Sequence, residues 1–132
     1  MNSPDMAITG GNSGIGKATV ALYLARGYRV AVLSRTQGQL SALLRQYPEQ
    51  LMLHLGDVSA TQDLANFYQC CQQRWGDIDV LIANAGIAKP EMLADVSNDS
   101  FAECFDINVQ GVFFTVQQGL KQLSPTASIT VV

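Results

Sequence analysis

Short runs rich in β-branched residues alternate along this chain with longer stretches where apolar residues recur every three or four positions. Residues 6–9 (Met-Ala-Ile-Thr) predict a short strand, and residues 10–16 a glycine-rich turn. Ile15, Ala18, Thr19, Leu22 and Ala25 follow at helical spacing, and Gly27 stops that helix. Residues 28–34 predict a second strand, 39–46 a helix ending before Pro48, and 51–54 a third strand. Residues 61–75 predict a helix with Thr61 as N-cap and Leu64, Phe67 and Cys71 as its buried stripe. A fourth strand is expected over 79–83. One long helix is expected over 97–123, with an apolar stripe at Phe101, Phe105, Val109, Val112, Val116 and Leu120. A fifth strand begins at residue 128. Strands alternating with helices of this size make βαβ units. Right-handed crossovers then put helices on both faces of a parallel sheet. The expected fold is a doubly wound α/β sheet in three α/β/α layers, with no internal repeat or linker, so residues 1–132 form one domain.

Composition narrows the function classes. A net charge of −3 gives no basic footprint for nucleic acid or anionic lipid. The chain is 48% hydrophobic, enough to fill a core, yet no apolar run approaches the ~20 residues of a membrane span. The opening residues 1–5 are polar and lead directly into a strand pattern, so they do not resemble a targeting segment. Cys70, Cys71 and Cys104 are odd in number and two are adjacent, which suits reduced thiols in a cytoplasmic protein. His54 is the single histidine and has no ligand spacing to the cysteines, so no metal site is expected.

The chemistry-bearing signal is Thr9-Gly10-Gly11-Asn12-Ser13-Gly14-Ile15-Gly16, between the first strand and the first helix. Glycines there permit a tight turn, close approach of backbone to phosphate and close packing of helix on strand. The helix N-terminus offers free N–H groups and a partial positive charge to a diphosphate. This is the phosphate turn of a Rossmann-type dinucleotide fold. The same residues nearly match a triphosphate loop, because Lys17 follows Gly16. That motif then requires Ser or Thr to ligate magnesium, and Ala18 stands there, which disfavours an NTPase.

Thr-Gly, three residues and Gly-Ile-Gly resembles the cofactor turn of the short-chain dehydrogenases/reductases. Three further matches follow in order: Asp57-Val58 after the third strand, Asn84-Ala85-Gly86 after the fourth, and Asn108 within the long helix. The resemblance implies that Asp57 contacts the adenine ring and that the Asn84–Gly86 segment steadies the sheet near the cofactor ribose. It implies that Asn108 belongs to the catalytic tetrad and holds a water that orients a lysine. Plainer readings exist for each: a turn aspartate, a polar strand exit and a solvent-facing asparagine.

Cofactor choice is read from the end of the second strand. NAD-binding folds place a carboxylate there. Here the residues are Ser34-Arg35, and an arginine fork suits a 2′-phosphate, which favours NADP(H) over NAD(H). Ser13 stands where NADP-preferring relatives often carry a second basic residue, so its hydroxyl is the remaining contribution. The expected cofactor-binding set is therefore Gly10, Asn12, Ser13, Gly14, Ile15, Gly16, Ser34, Arg35, Asp57, Val58, Asn84, Ala85 and Gly86.

The family's hydride chemistry uses a tyrosine with a lysine four residues later, and a serine. None of Tyr23, Tyr28, Tyr47 and Tyr68 has a lysine at that distance. The final residues read as the start of a central fifth strand, which would set a terminal carboxylate against the core. The reading is thus the N-terminal, cofactor-binding part of an NAD(P)-dependent oxidoreductase, with the catalytic part absent and the 132 residues inactive alone. The alternative is a non-catalytic NADP-binding module. By the same resemblance, the complete protein would act on a small carbonyl or secondary alcohol, and the long helix would pair subunits into a dimer or tetramer. Residues 88–92 (Ala-Lys-Pro-Glu-Met) would supply one wall of the substrate pocket.

Overall fold

The computed structural model describes residues 3–132; of the polar lead, Met1 and Asn2 lie outside the described residues. Five parallel strands form one sheet: β1 (Asp5–Thr9), β2 (Arg29–Ser34), β3 (Leu51–Leu55), β4 (Ile78–Ala83) and β5 (Leu123–Val131). Their spatial order is β3-β2-β1-β4-β5. Chain direction across the sheet therefore reverses between β1 and β4. In such sheets, ligands bind beyond the strand ends at this reversal.

Successive side chains of a strand face opposite sides, and the sequence uses both. Met6, Ile8, Val30, Val32 and Ile82 pack with Val20 and Leu24 of α1 (Gly14–Ala25) and with Leu40. Ala7, Ala31, Leu33 and Leu81 face the other way, onto Leu64, Phe67, Tyr68 and Cys71 of α3 (Thr61–Arg74) and onto Ile107. Near-continuous apolar strands are what a parallel sheet covered on both faces requires. The short α2 (Ser41–Gln46) carries no buried residue of its own.

Several sequence expectations need correction. Thr61 is the first helical residue of α3 and Ala60 its cap, with no side-chain cap bond. The segment expected as one helix is divided into α4 (Asn98–Phe105), a π-helical stretch (Asp106–Gly111), α5 (Val112–Gly119) and a 3-10 turn (Leu120–Gln122). Its expected apolar stripe is not its buried face. Phe101, Phe105, Val109 and Leu120 are exposed, and Val112 and Val116 are half-buried. The residues against the sheet are Ile107, Gly111, Thr115 and Gly119, a row of mostly small side chains. They let the helix sit so close that a Cβ at Gly119 would lie 2.8 Å from Leu81 Cδ2.

β5 also differs from expectation. It starts at Leu123 and pairs only with β4, at the edge of the described sheet. Its register slips between Ile78↔Leu123 and Val80↔Ser128, the stretch that contains Pro125. Val132 is 62% exposed and, contrary to expectation, does not lie against the core.

Candidate functional site

The glycine-rich turn leaves β1 at Gly10, whose φ is +68°. A Cβ there would lie 2.8 Å from Ala85 Cα, so a side chain is excluded by both space and conformation. At Gly16 a Cβ would lie 2.2 Å from Gly10 O and 2.6 Å from Asn84 Nδ2. These two glycines let α1 start directly on the turn and against the exit of β4.

Buried Thr9 joins the two strand exits. Its Oγ1 accepts hydrogen bonds from Asn84 N (3.1 Å) and Ala85 N (3.0 Å). Asn84 Nδ2 returns one to Gly10 O at 3.0 Å. α1 begins at Gly14 with Ser13 as its cap, and no side chain caps it or adds an acid to its first turn. Its first internal bond runs from Lys17 N to Ser13 O, so the amides of Gly14, Ile15 and Gly16 have no acceptor within the helix. An uncapped N-terminus of this kind draws an anion.

A cleft of about 600 Å³ opens at this point. Gly10, Asn12, Ser13, Ile15 and Gly16 line one end, Ser34 and Arg35 another, and Asp57, Val58, Asn84, Ala85 and Gly86 the rest. Of the expected residues, Gly14 and Asn108 do not line it. Leu33, Thr36, Gly56, Ile87 and Ile107 also form its walls and were not anticipated. The signal for them was adjacency: each neighbours an expected residue in sequence or follows a strand. Lys17 and Ala18 are not among the lining residues, contrary to the placement a triphosphate loop needs.

The individual side chains divide into free and occupied groups. Arg35 is exposed and makes no salt bridge among the described residues. The Ser34 hydroxyl is turned onto its own loop and donates to Thr36 O at 2.7 Å. Asp57 Oδ1 accepts from Ser59 N (2.9 Å) and Ser59 Oγ (2.8 Å), which fixes the carboxylate. The Asp57 amide donates to Asp63 Oδ2, tying the loop to the first turn of α3.

Asn108 lies in the π-helical stretch. Its side chain pairs in both directions with the Ile87 backbone: Ile87 N donates to Oδ1 and Nδ2 donates to Ile87 O, each at 2.8 Å. The amide thus holds the strand-exit segment. Ala88, Lys89, Pro90 and Glu91 line a neighbouring hollow with Ser100 and Glu103, outside the main cleft. Lys89 pairs with Glu103 there, and Ser100 Oγ with Glu91.

All three cysteines are unpaired. Burial pushes the Cys71 thiol up to about 12, and burial likewise raises the Tyr68 phenol, which donates to Thr115 O at 2.5 Å. No helix of the described residues is long and apolar enough to cross a membrane.

Comparison with known proteins agrees with this geometry. The profile for short chain dehydrogenases matches residues 5–132. Cis-2,3-dihydrobiphenyl-2,3-diol dehydrogenase of Pseudomonas sp. (strain KKS102) is 36% identical over 128 residues, 93% of this chain and 46% of the relative. The enzyme of the same description from Paraburkholderia xenovorans (strain LB400) is 37% identical, over 88% of this chain and 44% of the relative. The chain therefore spans about half the length of the curated relatives it matches. Among solved structures, a short-chain glucose/ribitol dehydrogenase from Brucella melitensis superposes with a TM-score of 0.92 at 28% identity, over 97% of this chain and 55% of that one. An alcohol dehydrogenase from Thermococcus sibiricus, solved with 5-hydroxy-NADP, gives 0.89 at 30% identity, over 98% and 57%. From its first strand to its last, this chain belongs to the short-chain dehydrogenase/reductase family.

Proposed function

We propose that these residues form the NADP(H)-binding part of an oxidoreductase that interconverts a small carbonyl compound and its secondary alcohol. The observation carrying this reading is an arginine with no salt bridge among the described residues and an uncapped helix N-terminus, both in one cleft at the sheet's reversal point. Two anionic groups of one elongated ligand match those two features. When bound, the nicotinamide dinucleotide supplies a hydride donor or acceptor at its C4 position. The chain's own residues bind and orient it. The amides at Gly14–Gly16 hold the diphosphate, and Arg35, with the Ser13 hydroxyl, holds the 2′-phosphate. Asp57, steadied by Ser59, accepts from the adenine amino group. Asn84, Ala85 and Gly86, fixed by Thr9 and Asn108, shape the floor under the ribose.

The 5-hydroxy-NADP complex of the Thermococcus sibiricus relative supports the cofactor reading. Secondary alcohols of small diols, the class named in the bacterial relatives, are the first substrates to try. The exposed row Phe101, Phe105, Val109 and Phe113 gives the complete protein a face on which to pair with a second copy. Three free cysteines suit a cytoplasmic setting.

The second reading is a binding module without turnover. Following nicotinamide absorbance with the protein at its full natural length and a panel of diols and ketones separates the two. Turnover with NADP(H) in preference to NAD(H) is expected. Tight NADPH binding without turnover on any substrate would support the module. The 132 residues alone are expected to show no turnover, and activity in a preparation of verified mass would contradict that.

A further inference from the structure

At one end of the cleft, the Asn12 side chain bonds to the loop that carries Arg35. Its Nδ2 donates to Thr36 O at 3.1 Å and to Thr36 Oγ1 at 3.2 Å. Its backbone oxygen accepts from Gln39 N at 2.8 Å. On the near side of Arg35, the Ser34 hydroxyl donates to the same Thr36 oxygen. The residues on both sides of Arg35 are therefore fastened, one to the loop itself and one to the phosphate turn. The arginine side chain between them is exposed and makes no salt bridge among the described residues. Gly38 completes the clasp. Its φ is +54°, and a Cβ there would lie 2.8 Å from Asn12 Nδ2 and 2.8 Å from Asn12 O. Only a residue without a side chain lets the loop close this tightly over Asn12.

We infer that Asn12 is a positioning residue for cofactor choice: it locks the Arg35 loop to the diphosphate turn, so the guanidinium stands ready for a 2′-phosphate. The inference rests on the NADP reading above. Its physical basis is preorganisation. A loop held in its binding conformation before the ligand arrives loses less freedom on binding. The benefit falls on the ligand that uses Arg35 and not on one that lacks the 2′-phosphate. A merely structural role for Asn12 would weaken both ligands alike.

The test measures NADPH and NADH dissociation constants by fluorescence for the protein at its full natural length and for Asn12→Ala, Arg35→Ala and the double variant. The wild type is expected to bind NADPH more tightly than NADH. Asn12→Ala is expected to lower that preference by about three- to tenfold, the range of one or two lost hydrogen bonds. In the Arg35→Ala background the Asn12 substitution is expected to change the preference no further, because it acts through the arginine. Gly38→Ala, which displaces Asn12 without removing it, is expected to lower the preference in the same direction. Thermal melting establishes that each variant is folded. An unaltered preference in Asn12→Ala, or an equal further drop in the double variant, would overturn the inference while leaving the cofactor reading standing. A wild type without preference for NADPH would overturn both.

Discussion

Thr9 shows how much of the site hangs on single polar groups. Its hydroxyl is 1% exposed and is the acceptor for two backbone amides at the exit of β4. Thr9→Val keeps the shape and strands both donors, which is expected to cost roughly 2–3 kcal/mol. Urea denaturation checks this, and a loss under about 0.5 kcal/mol, the scale of an ordinary surface change, would contradict it. Cys71 makes a second prediction at this scale. Its folded-state pKa is raised from 9.0 to about 12, so the buried thiol stays neutral while the unfolded thiol ionises. The unfolded state then binds fewer protons than the folded one above pH 9. Stability from this group is fully present below pH 9 and is lost as pH rises toward 12. Denaturation midpoints are expected to fall between pH 9 and 11, and less steeply in Cys71→Ala. Equal slopes for the two proteins would contradict this.

Legibility in the sequence follows from how directly a residue type encodes a backbone demand. Gly10 and Gly16 could be read because close approach leaves no alternative to glycine. Arg35 could be read because its place at the end of β2 is fixed by strand position alone. The partners of Asn12 and Asn108 could not. Both amides bond to backbone in loops distant in sequence, Thr36 and Ile87, and the path of those loops is set by tertiary packing.

At the scale of elements, the long helical segment is the clearest misreading, and its cause is physical. Apolar residues at helical spacing ordinarily mark the core side. Here Gly111 lies against Val58 and Gly119 against Leu81, with buried Thr115 between them, and larger apolar residues such as Phe113 are left outside. The stripe misses the core on both sides of the π-helical stretch: Phe101 and Phe105 before it and Leu120 after it are exposed. Gly119→Val would force a side chain onto Leu81 and Tyr68 and is expected to destabilise by about 1–3 kcal/mol. Phe113→Ser, on the exposed side, is expected to alter the stability of the isolated subunit by no more than about 0.5 kcal/mol. Sedimentation of the full-length Phe105→Ser/Phe113→Ser protein is expected to show smaller assemblies than the wild type. Unchanged assembly would rule this face out as the pairing surface. By contrast, α3 could be read correctly: Leu64, Phe67 and Cys71 are buried as expected, with Tyr68 beside them.

At the scale of the whole molecule, site and fold have one origin. Strand order β3-β2-β1-β4-β5 parts the connections after β1 and β4, and the cleft lies where they part. Thr9 spans that gap, α1 starts within it, and the Arg35 loop leaves the neighbouring β2. The central claim is that amides at the start of α1 hold the diphosphate of a dinucleotide. Calorimetric titration of NADPH into the full-length protein and its Ile15→Pro variant tests it most directly, because Ile15 lines the cleft and proline in the first turn of a helix removes an amide that has no acceptor within the helix. Saturable binding by the wild type, weakened at least about tenfold in a variant that still melts cooperatively, is the expected result. Equal affinity in the two folded proteins would contradict the claim.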